Sequence, residues 1–452
     1  MQLTDLNSAN DIGANSLLVE LGPFRFLVDC GLHPKKVGLA ALPNIRRLDR
    51  TALDFIIITH SHLDHGGSLP VALRGQPHAP ILVTPGTELL LPRMLRNSCN
   101  VMLRQRDELK LAEYPLFTFS EIERLEGRLQ PVVFGRTRIF EKNGDRLEVT
   151  FFPAGHVAGA CGVRIVHKQR RIFFTGDVLF SDQLTLTGAR FPEEFFDILV
   201  TETTRGRTVP NPAVTRASER ERLVDTLDEI LAGGGTALIP VFALGRMQEI
   251  FAILHAARRT RRLRDVPIYA SGLGLDLVDY FDNLSKKQST IRFRKSILRE
   301  LGVQPLRQTL VPGREPGQRG IFVLSSGMMV ENTPSYALAA SLLARPVNGV
   351  FFVGYCDPET PGGRLLATAP GQPFHFPNLD FTTPVHARVE KFDLSGHADR
   401  DELLAFAQAR QPRSVVITHG DPPARAWFAD ALSKLKPAPK VIDPVPGETC
   451  TV

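Results

Sequence analysis

Apolar positions along this chain change their spacing four times. Up to residue 60 they come in short runs, "SLLVEL" (16–21), "FRFLVDCG" (24–31) and "DFIIIT" (54–59), broken by Gly and Pro, and these predict strands. From 85 to 125 apolar residues recur every three or four positions, as in "GTELLLPRMLRNSCNVMLRQRDELKLA", which predicts helix. Strands resume at "RLEVTFFPAG" (146–155) and "RIFFTGD" (171–177), with "HKQR" as a hairpin-like connection between them. From about 206 to 385, apolar runs ("TALIPV", "VPIYA", "GIFVLSS", "GVFFVGY") alternate with helical patterns such as "RASERERLVDTLDEILAGG" and "GRMQEIFAILHAARR". That alternation predicts a parallel sheet built from βαβ units. The chain then returns to a strand, "SVVITHGDPP", that ends in a histidine. There is no internal repeat and no low-complexity linker.

Composition narrows the class. At 452 residues, two domains or one with a large insertion are expected. With 43% hydrophobic and 23% charged residues, the chain has the balance of a soluble globular protein. The opening "MQLTDLNSANDIGANS" lacks a basic stretch followed by an apolar one, so no signal peptide is expected. Apolar runs are too short for a membrane span. The 5 cysteines show no CxxC spacing and are expected to be reduced thiols in a cytoplasm. Net charge is +6, which suits a polyanionic partner without requiring one. The arginines of "HAARRTRRLRD" suit such a partner, and equally a helix C-terminus.

Candidate chemistry starts at "DFIIITHSHLDHGG", where His60, His62, Asp64 and His65 follow directly on an apolar run. Such groups are costly to bury unpaired. Other strand ends repeat the pattern: "FFPAGH" ends at His156, "FFTGD" at Asp177 and "VVITHG" at His419. Imidazole and carboxylate donors suit a borderline cation such as zinc. Seven donors exceed what one tetrahedral site uses, and suffice for two cations sharing a carboxylate. Such a pair suits in-line hydrolysis at phosphorus, above all of a phosphodiester.

These residues carry a resemblance. "THSHLDHGG" resembles the HxHxDH signature of the metallo-β-lactamase superfamily. The resemblance implies that His60, His62 and His156 bind a first Zn²⁺ and Asp64 and His65 a second, with Asp177 bridging. Asp29 of "LVDCG" would orient ligands without binding metal. "LVTETTRG" resembles motif A of the β-CASP nucleases with Glu202 as its acid, "DLSGHADRDEL" motif B with His397, and "VVITHGD" motif C with His419. "LIPVFALGRMQEI" is similar to a segment of the endonuclease subunit of the pre-mRNA cleavage and polyadenylation machinery. The likeness runs from about residue 10 to 430. The implied fold is α/β, an αββα metallo-β-lactamase sandwich (1–205 and 386–452) with an inserted α/β β-CASP domain (206–385) holding a mainly parallel sheet. RNA-directed members carry histidine at motif C where the DNA-directed crosslink-repair relatives usually carry valine. His419 therefore implies an RNA partner, single-stranded, and would complete the second zinc's coordination. One departure is Arg205, where motif A usually has Tyr or Asn. Lacking a KH-like extension or a long further domain, the chain resembles the compact bacterial form.

Four residues are expected to act in catalysis: Asp29, Asp64, Glu202 and His397. A histidine kept protonated by a carboxylate can supply the proton that an expelled alkoxide needs, which casts His397 as acid and Glu202 as its carboxylate. Ser325, Ser326, Ser395, Gly396 and Arg246 are candidates for phosphate contacts. The resulting expectation is a two-zinc ribonuclease acting in a cleft between two domains, by internal or 5′-end cuts. Alternatives are a DNA nuclease on the same scaffold, a small-ester hydrolase, or a non-catalytic RNA-binding scaffold. The sequence offers no physical basis for an oligomeric state, and a homodimer stays an open expectation.

Overall fold

The faces that each strand buries account for the apolar runs. In a computed structural model describing residues 1–48, 51–307 and 309–452, Leu17, Val19 and Leu21 of strand Leu17–Leu21 enter one core while Leu18 enters another. Strand Phe55–Ile57 divides likewise, Phe55 and Ile57 to one side and Ile56 to the other. Alternate side chains of a strand point to opposite faces. A strand covered on both faces therefore reads as a continuous apolar run instead of an alternating one.

The chain divides into two compact units, Met1–Asp182 with Gly188–Pro210 and His397–Val452, and Gln183–Thr187 with Asn211–Gly396. The sequence placed the insertion at 206–385. The second unit instead runs to Gly396 and takes in a short upstream stretch.

The first unit is a sandwich of two seven-stranded sheets. One runs in the order Thr449–Thr451, Gln2–Asp5, Leu17–Leu21, Phe24–Val28, Phe55–Ile57, Ile81–Val83, Leu129–Pro131. The other runs Lys440–Ile442, Ser414–Thr418, Ile198–Glu202, Arg170–Phe174, Cys161–His167, Asp145–Pro153, Thr137–Lys142. Between them lie Phe26, Phe55, Phe151, Ile172 and Val200, all buried. Phe55 stacks on Phe26 at 4.7 Å and on Phe140 at 4.3 Å. Truncating this ring to alanine should cost about 3–5 kcal/mol. Helices Leu69–Gly75, Pro85–Leu109 and Phe119–Glu126 cover the outer face of the first sheet. Helices Arg400–Arg410 and Pro422–Ser433 cover that of the second, completing the αββα layering.

Two local expectations change. "HKQR" does form a tight hairpin, with Lys168 and Gln169 at φ 47° and 67°. It joins Arg170–Phe174 to Cys161–His167, however, a strand the sequence reading passed over. The helical stretch of 85–125 is two helices, the second started by Thr118, whose hydroxyl accepts from the Glu121 amide while Glu121 accepts from the Thr118 amide.

The second unit centres on a six-stranded sheet, Val303–Pro305, Ile268–Ala270, Ile321–Leu324, Ala237–Pro240, Gly349–Phe352, Arg388–Lys391, in which every pairing is parallel. The arginine run after helix Arg246–Arg259 fastens that helix to its neighbour Arg216–Ala232. Arg262 reaches Asp225 at 2.8 Å, and Arg264 reaches Asp228 at 2.9 Å. No helix among the described residues is long and apolar enough to cross a membrane.

Candidate metal centre

Most candidate side chains of the first unit sit just beyond the end of a strand. His60 follows Phe55–Ile57, and the chain then coils into a single turn, Leu63–Gly66, that carries Asp64 and His65. Gly66 and Gly67 keep ordinary helical backbone. Their small size is what matters, because a Cβ on Gly67 would lie 2.4 Å from the Leu63 carbonyl oxygen. His156 follows Asp145–Pro153, Asp177 follows Arg170–Phe174, and His419 follows Ser414–Thr418. His419 has φ 47° and Asp29, just after Phe24–Val28, has φ 63°. Both are left-handed conformations of the kind that collect at working sites.

The side chains of these residues converge. His62 Nδ1 lies 3.1 Å from both His60 Nε2 and His156 Nε2. On the other side, His65 Nε2 lies 3.2 Å from His419 Nε2, which is 3.5 Å from Asp64 Oδ2. Between these groups stands Asp177. Its Oδ2 is 3.8 Å from His60, 3.4 Å from His65 and 3.7 Å from His156, and its Oδ1 is 3.4 Å from His419. The groups His60–His62–His156, His60–His65–Asp177 and Asp64–His65–His419 each bring their ligand atoms within 4.8 Å of one another.

Asp29 stays behind the candidate ligands. It accepts from the Thr59 amide at 2.7 Å and hydroxyl at 2.9 Å, and pairs with His65 Nδ1 at 2.8 Å. His65 thereby turns Nε2 inward. Thr59 Oγ1 also lies 3.2 Å from His60 Nδ1. Thr59, and Thr204 beside His419, escaped the sequence reading. Their only signal was adjacency to the motifs.

Electrostatics fit a cation. Burial and neighbouring histidines hold the His60 pKa well below the ordinary range, leaving a neutral donor. Burial opposes charge on His65 too, but Asp177 and Asp29 outweigh it and push its pKa well up. Burial would raise Asp177, yet His419 and His65 hold its pKa well down. Asp64 is likewise held low by His419 and His65 against burial. Among the described residues, buried Asp177 Oδ1 has no hydrogen-bond partner. Nitrogen lone pairs facing one another beside ionised carboxylates call for positive charge, which a proton or a metal ion could supply.

His397 is held separately. Its Nδ1 lies 3.0 Å from Glu202 Oε2 and 3.2 Å from Oε1, and Glu202 also accepts from the Val178 amide at 2.7 Å. Burial lowers the His397 pKa, but Glu202, then Asp177 and Asp64, raise it above the usual value. Arg205, the motif A departure, donates to the His397 carbonyl at 3.4 Å.

The candidates for phosphate contact lie in the second unit. Ser325 and Ser326 follow strand Ile321–Leu324, and Ser326 Oγ accepts from the Val330 amide at 2.9 Å. The Ser395 carbonyl accepts from Arg216 at 2.7 Å, and Gly396 is buried beside it in the chain. Arg246 does not suit the role. It is 6% exposed, and its guanidinium is spent on the Leu394 carbonyl at 2.8 Å and on Gln183.

Comparison with known proteins agrees with this geometry. Residues 9–240 match the model of the metallo-beta-lactamase superfamily, 247–365 that of the Beta-Casp domain, and 382–442 that of a Zn-dependent metallo-hydrolase RNA specificity domain. The chain is 28% identical over 96% of its length to "Cleavage and polyadenylation specificity factor subunit 3" of Dictyostelium discoideum, covering 54% of that protein. It is 27% identical to an "RNase J-like protein" of Methanocaldococcus jannaschii, with 96% of each chain covered. It is 26% identical to "Endoribonuclease YSH1" of Kluyveromyces lactis, covering 93% of this chain and 55% of that one. It thus spans about half the length of the Dictyostelium and Kluyveromyces relatives. A solved structure of a protein of unknown function from Enterococcus faecalis V583 shares the fold, with a TM-score of 0.54, 13% identity, 100% of this chain covered and 99% of that one.

Proposed function

From the premise that the chain belongs to the metallo-β-lactamase superfamily and carries a Beta-Casp domain, we propose that it is a ribonuclease that hydrolyses RNA phosphodiesters with two zinc ions. The observation that carries the two-cation reading is the placement of Asp177, with one oxygen within 3.8 Å of nitrogens of His60, His65 and His156 and the other 3.4 Å from His419. His60, His62 and His156 would hold one cation, Asp64, His65 and His419 the other, and Asp177 both. Bound there, the pair would supply Lewis acidity, polarising a phosphoryl oxygen and lowering the pKa of water towards about 7.

This chain's own residues would do the rest. Glu202 pairs with His397 Nδ1, so the transferable proton of the imidazolium is directed to Nε2. There it could pass to the leaving oxygen as the P–O bond breaks. RNA is favoured over DNA because the RNA specificity match, 382–442, includes both His397 and His419. Ser325, Ser326, Ser395 and Gly396 belong to the same proposal as phosphate contacts. In the test, end-labelled single-stranded RNA and matched DNA are incubated with the protein, with chelator, and after zinc is restored. RNA cut in a zinc-dependent way is the expected result. Equal cutting of DNA would favour the DNA nuclease, and metal-loaded protein that cuts neither would favour the scaffold.

A further inference from the structure

We infer that Thr204 is a positioning residue for the second cation, fixing the tautomer and orientation of His419; this rests on the two-cation reading above. Thr204 is 8% exposed and lies two positions beyond Glu202, where strand Ile198–Glu202 ends beside Ser414–Thr418. Its Oγ1 is 3.0 Å from His419 Nδ1 and donates to the His419 carbonyl at 3.3 Å. A hydroxyl has one proton to give. With that proton on the carbonyl, Oγ1 accepts from Nδ1–H, and the His419 lone pair is left on Nε2. Nε2 is the nitrogen that faces His65 Nε2 at 3.2 Å and Asp64 Oδ2 at 3.5 Å.

The parallel with His65 supports this assignment. Its Nδ1 is taken by Asp29 Oδ2 at 2.8 Å, again leaving Nε2 for the same space. Asp177 Oδ1 also approaches His419 Nδ1, but at 3.4 Å it lies beyond good N–H···O range. The backbone presses Thr204 into place. The Thr203 amide donates to the His419 carbonyl at 3.2 Å, and the Thr203 hydroxyl to the Thr418 carbonyl at 2.9 Å. A Cβ on Gly420 would lie 2.2 Å from Thr203 Oγ1 and 2.9 Å from the Thr203 carbonyl oxygen, so the two strand ends are packed closely here. Glu202 and Thr204 thus serve different histidines from one turn, His397 and His419.

The test compares the metal-free protein with Thr204→Val, which keeps the shape and loses the hydroxyl, and Thr204→Ser, which keeps the hydroxyl. Each is titrated with zinc against a competing chelator, and separately with cobalt, whose visible absorption reports the coordination at each step. Thr204→Val should weaken the second equivalent by about 10- to 100-fold, the usual effect of losing a ligand's supporting partner. The first equivalent should be unchanged, and Thr204→Ser should return the second to within a few-fold of wild type. Wild-type affinity for both equivalents in Thr204→Val would overturn the inference. So would equal weakening of both steps, or failure of serine to rescue. A wild-type isotherm that saturates at one equivalent would instead sink the two-cation reading itself.

Discussion

Asp177 in the first unit and Glu249 in the second are both buried carboxylates, 3% and 2% exposed, yet their surroundings differ in kind. Glu249 accepts from the Leu184 and Thr185 amides, each at 3.0 Å, and from the Thr185 hydroxyl at 2.7 Å. Arg216 lies 3.8 Å away, and Arg246 adds its charge. The arginines in turn donate to the Ser395 and Leu394 carbonyls. Both oxygens of Glu249 are thus met by the protein itself. Asp177 is ringed by histidine nitrogens, and one of its oxygens has no hydrogen bond among the described residues. Buried polar groups are ordinarily satisfied. A buried carboxylate met on both oxygens therefore marks architecture, whereas one that is completed only by added positive charge marks a candidate working site.

The largest expected effect follows from that contrast. Asp177→Ala should lose both cations together and lower RNA cleavage by about 10⁴-fold or more, since each cation supplies several kcal/mol of charge stabilisation. Unfolding with and without zinc sharpens it. At 100 times Kd each site should add about 2.7 kcal/mol to the wild type, and neither increment should survive in Asp177→Ala. Loss of one equivalent alone would show that the carboxylate does not bridge.

Next comes His397→Ala, which should keep both zinc increments while cleavage falls by about 10²- to 10⁴-fold. A nitrophenyl phosphodiester, whose leaving group needs no proton, should recover much of the loss. Zinc loss in this variant would move His397 into the metal site and leave the proton without a donor.

The candidate ligand residues were legible because they gather where apolar runs end, often next to glycine, at positions where buried imidazole or carboxylate is otherwise costly. The hydroxyls behind them were not. "TETT" offers three threonines, and nothing in the letters says that Thr204 meets His419. Arg246 misled for a related reason. A helix start after glycine suggests an anion site, but the Gly245 amide is taken by Gln248 Oε1 at 2.8 Å and the arginine turns inward. Strand Cys161–His167 was hidden by Gly162, which reads as a breaker. A Cβ there would lie 2.6 Å from the Phe191 ring, so glycine is present to admit the ring.

A third prediction breaks the comparison from the other side. Glu249→Ala removes the ion-pair partner of Arg216 and a compensating charge near the buried Arg246, whose pKa burial and Arg216 have already pushed down to about 9. Removing one partner of a buried ion pair should cost about 3–5 kcal/mol in urea unfolding of the full chain. The zinc increment should nevertheless match that of the wild type, because arginines already supply the positive charge of this cluster. A diminished increment would mean that the second cluster also supports metal binding.

The smallest effect concerns Asp5, a buried carboxylate with neither a cation to await nor a full set of partners. It accepts from the Asn7 amide at 2.9 Å, and burial raises its pKa to about 6. Arg425 opposes that rise, while Asp11 and Asp443 add to it, and Arg425 is itself bound to Asp443 at 2.7 Å. Between the ordinary aspartate value of 3.8 and about 6, the folded chain holds a proton that the unfolded chain has released. Stability should therefore fall as pH rises through that window and level off above it. The penalty at neutral pH is at most about 3 kcal/mol. Asp5→Asn keeps an acceptor for the Asn7 amide and removes the charge. It should be more stable than wild type at pH 7.5 and indistinguishable near pH 4. The difference between the two unfolding curves, measured in chelator so that the metal centre contributes equally to both, isolates this group. A difference that is constant with pH would show that Asp5 is ionised throughout, and that its neighbours satisfy it as fully as Glu249 is satisfied by its own.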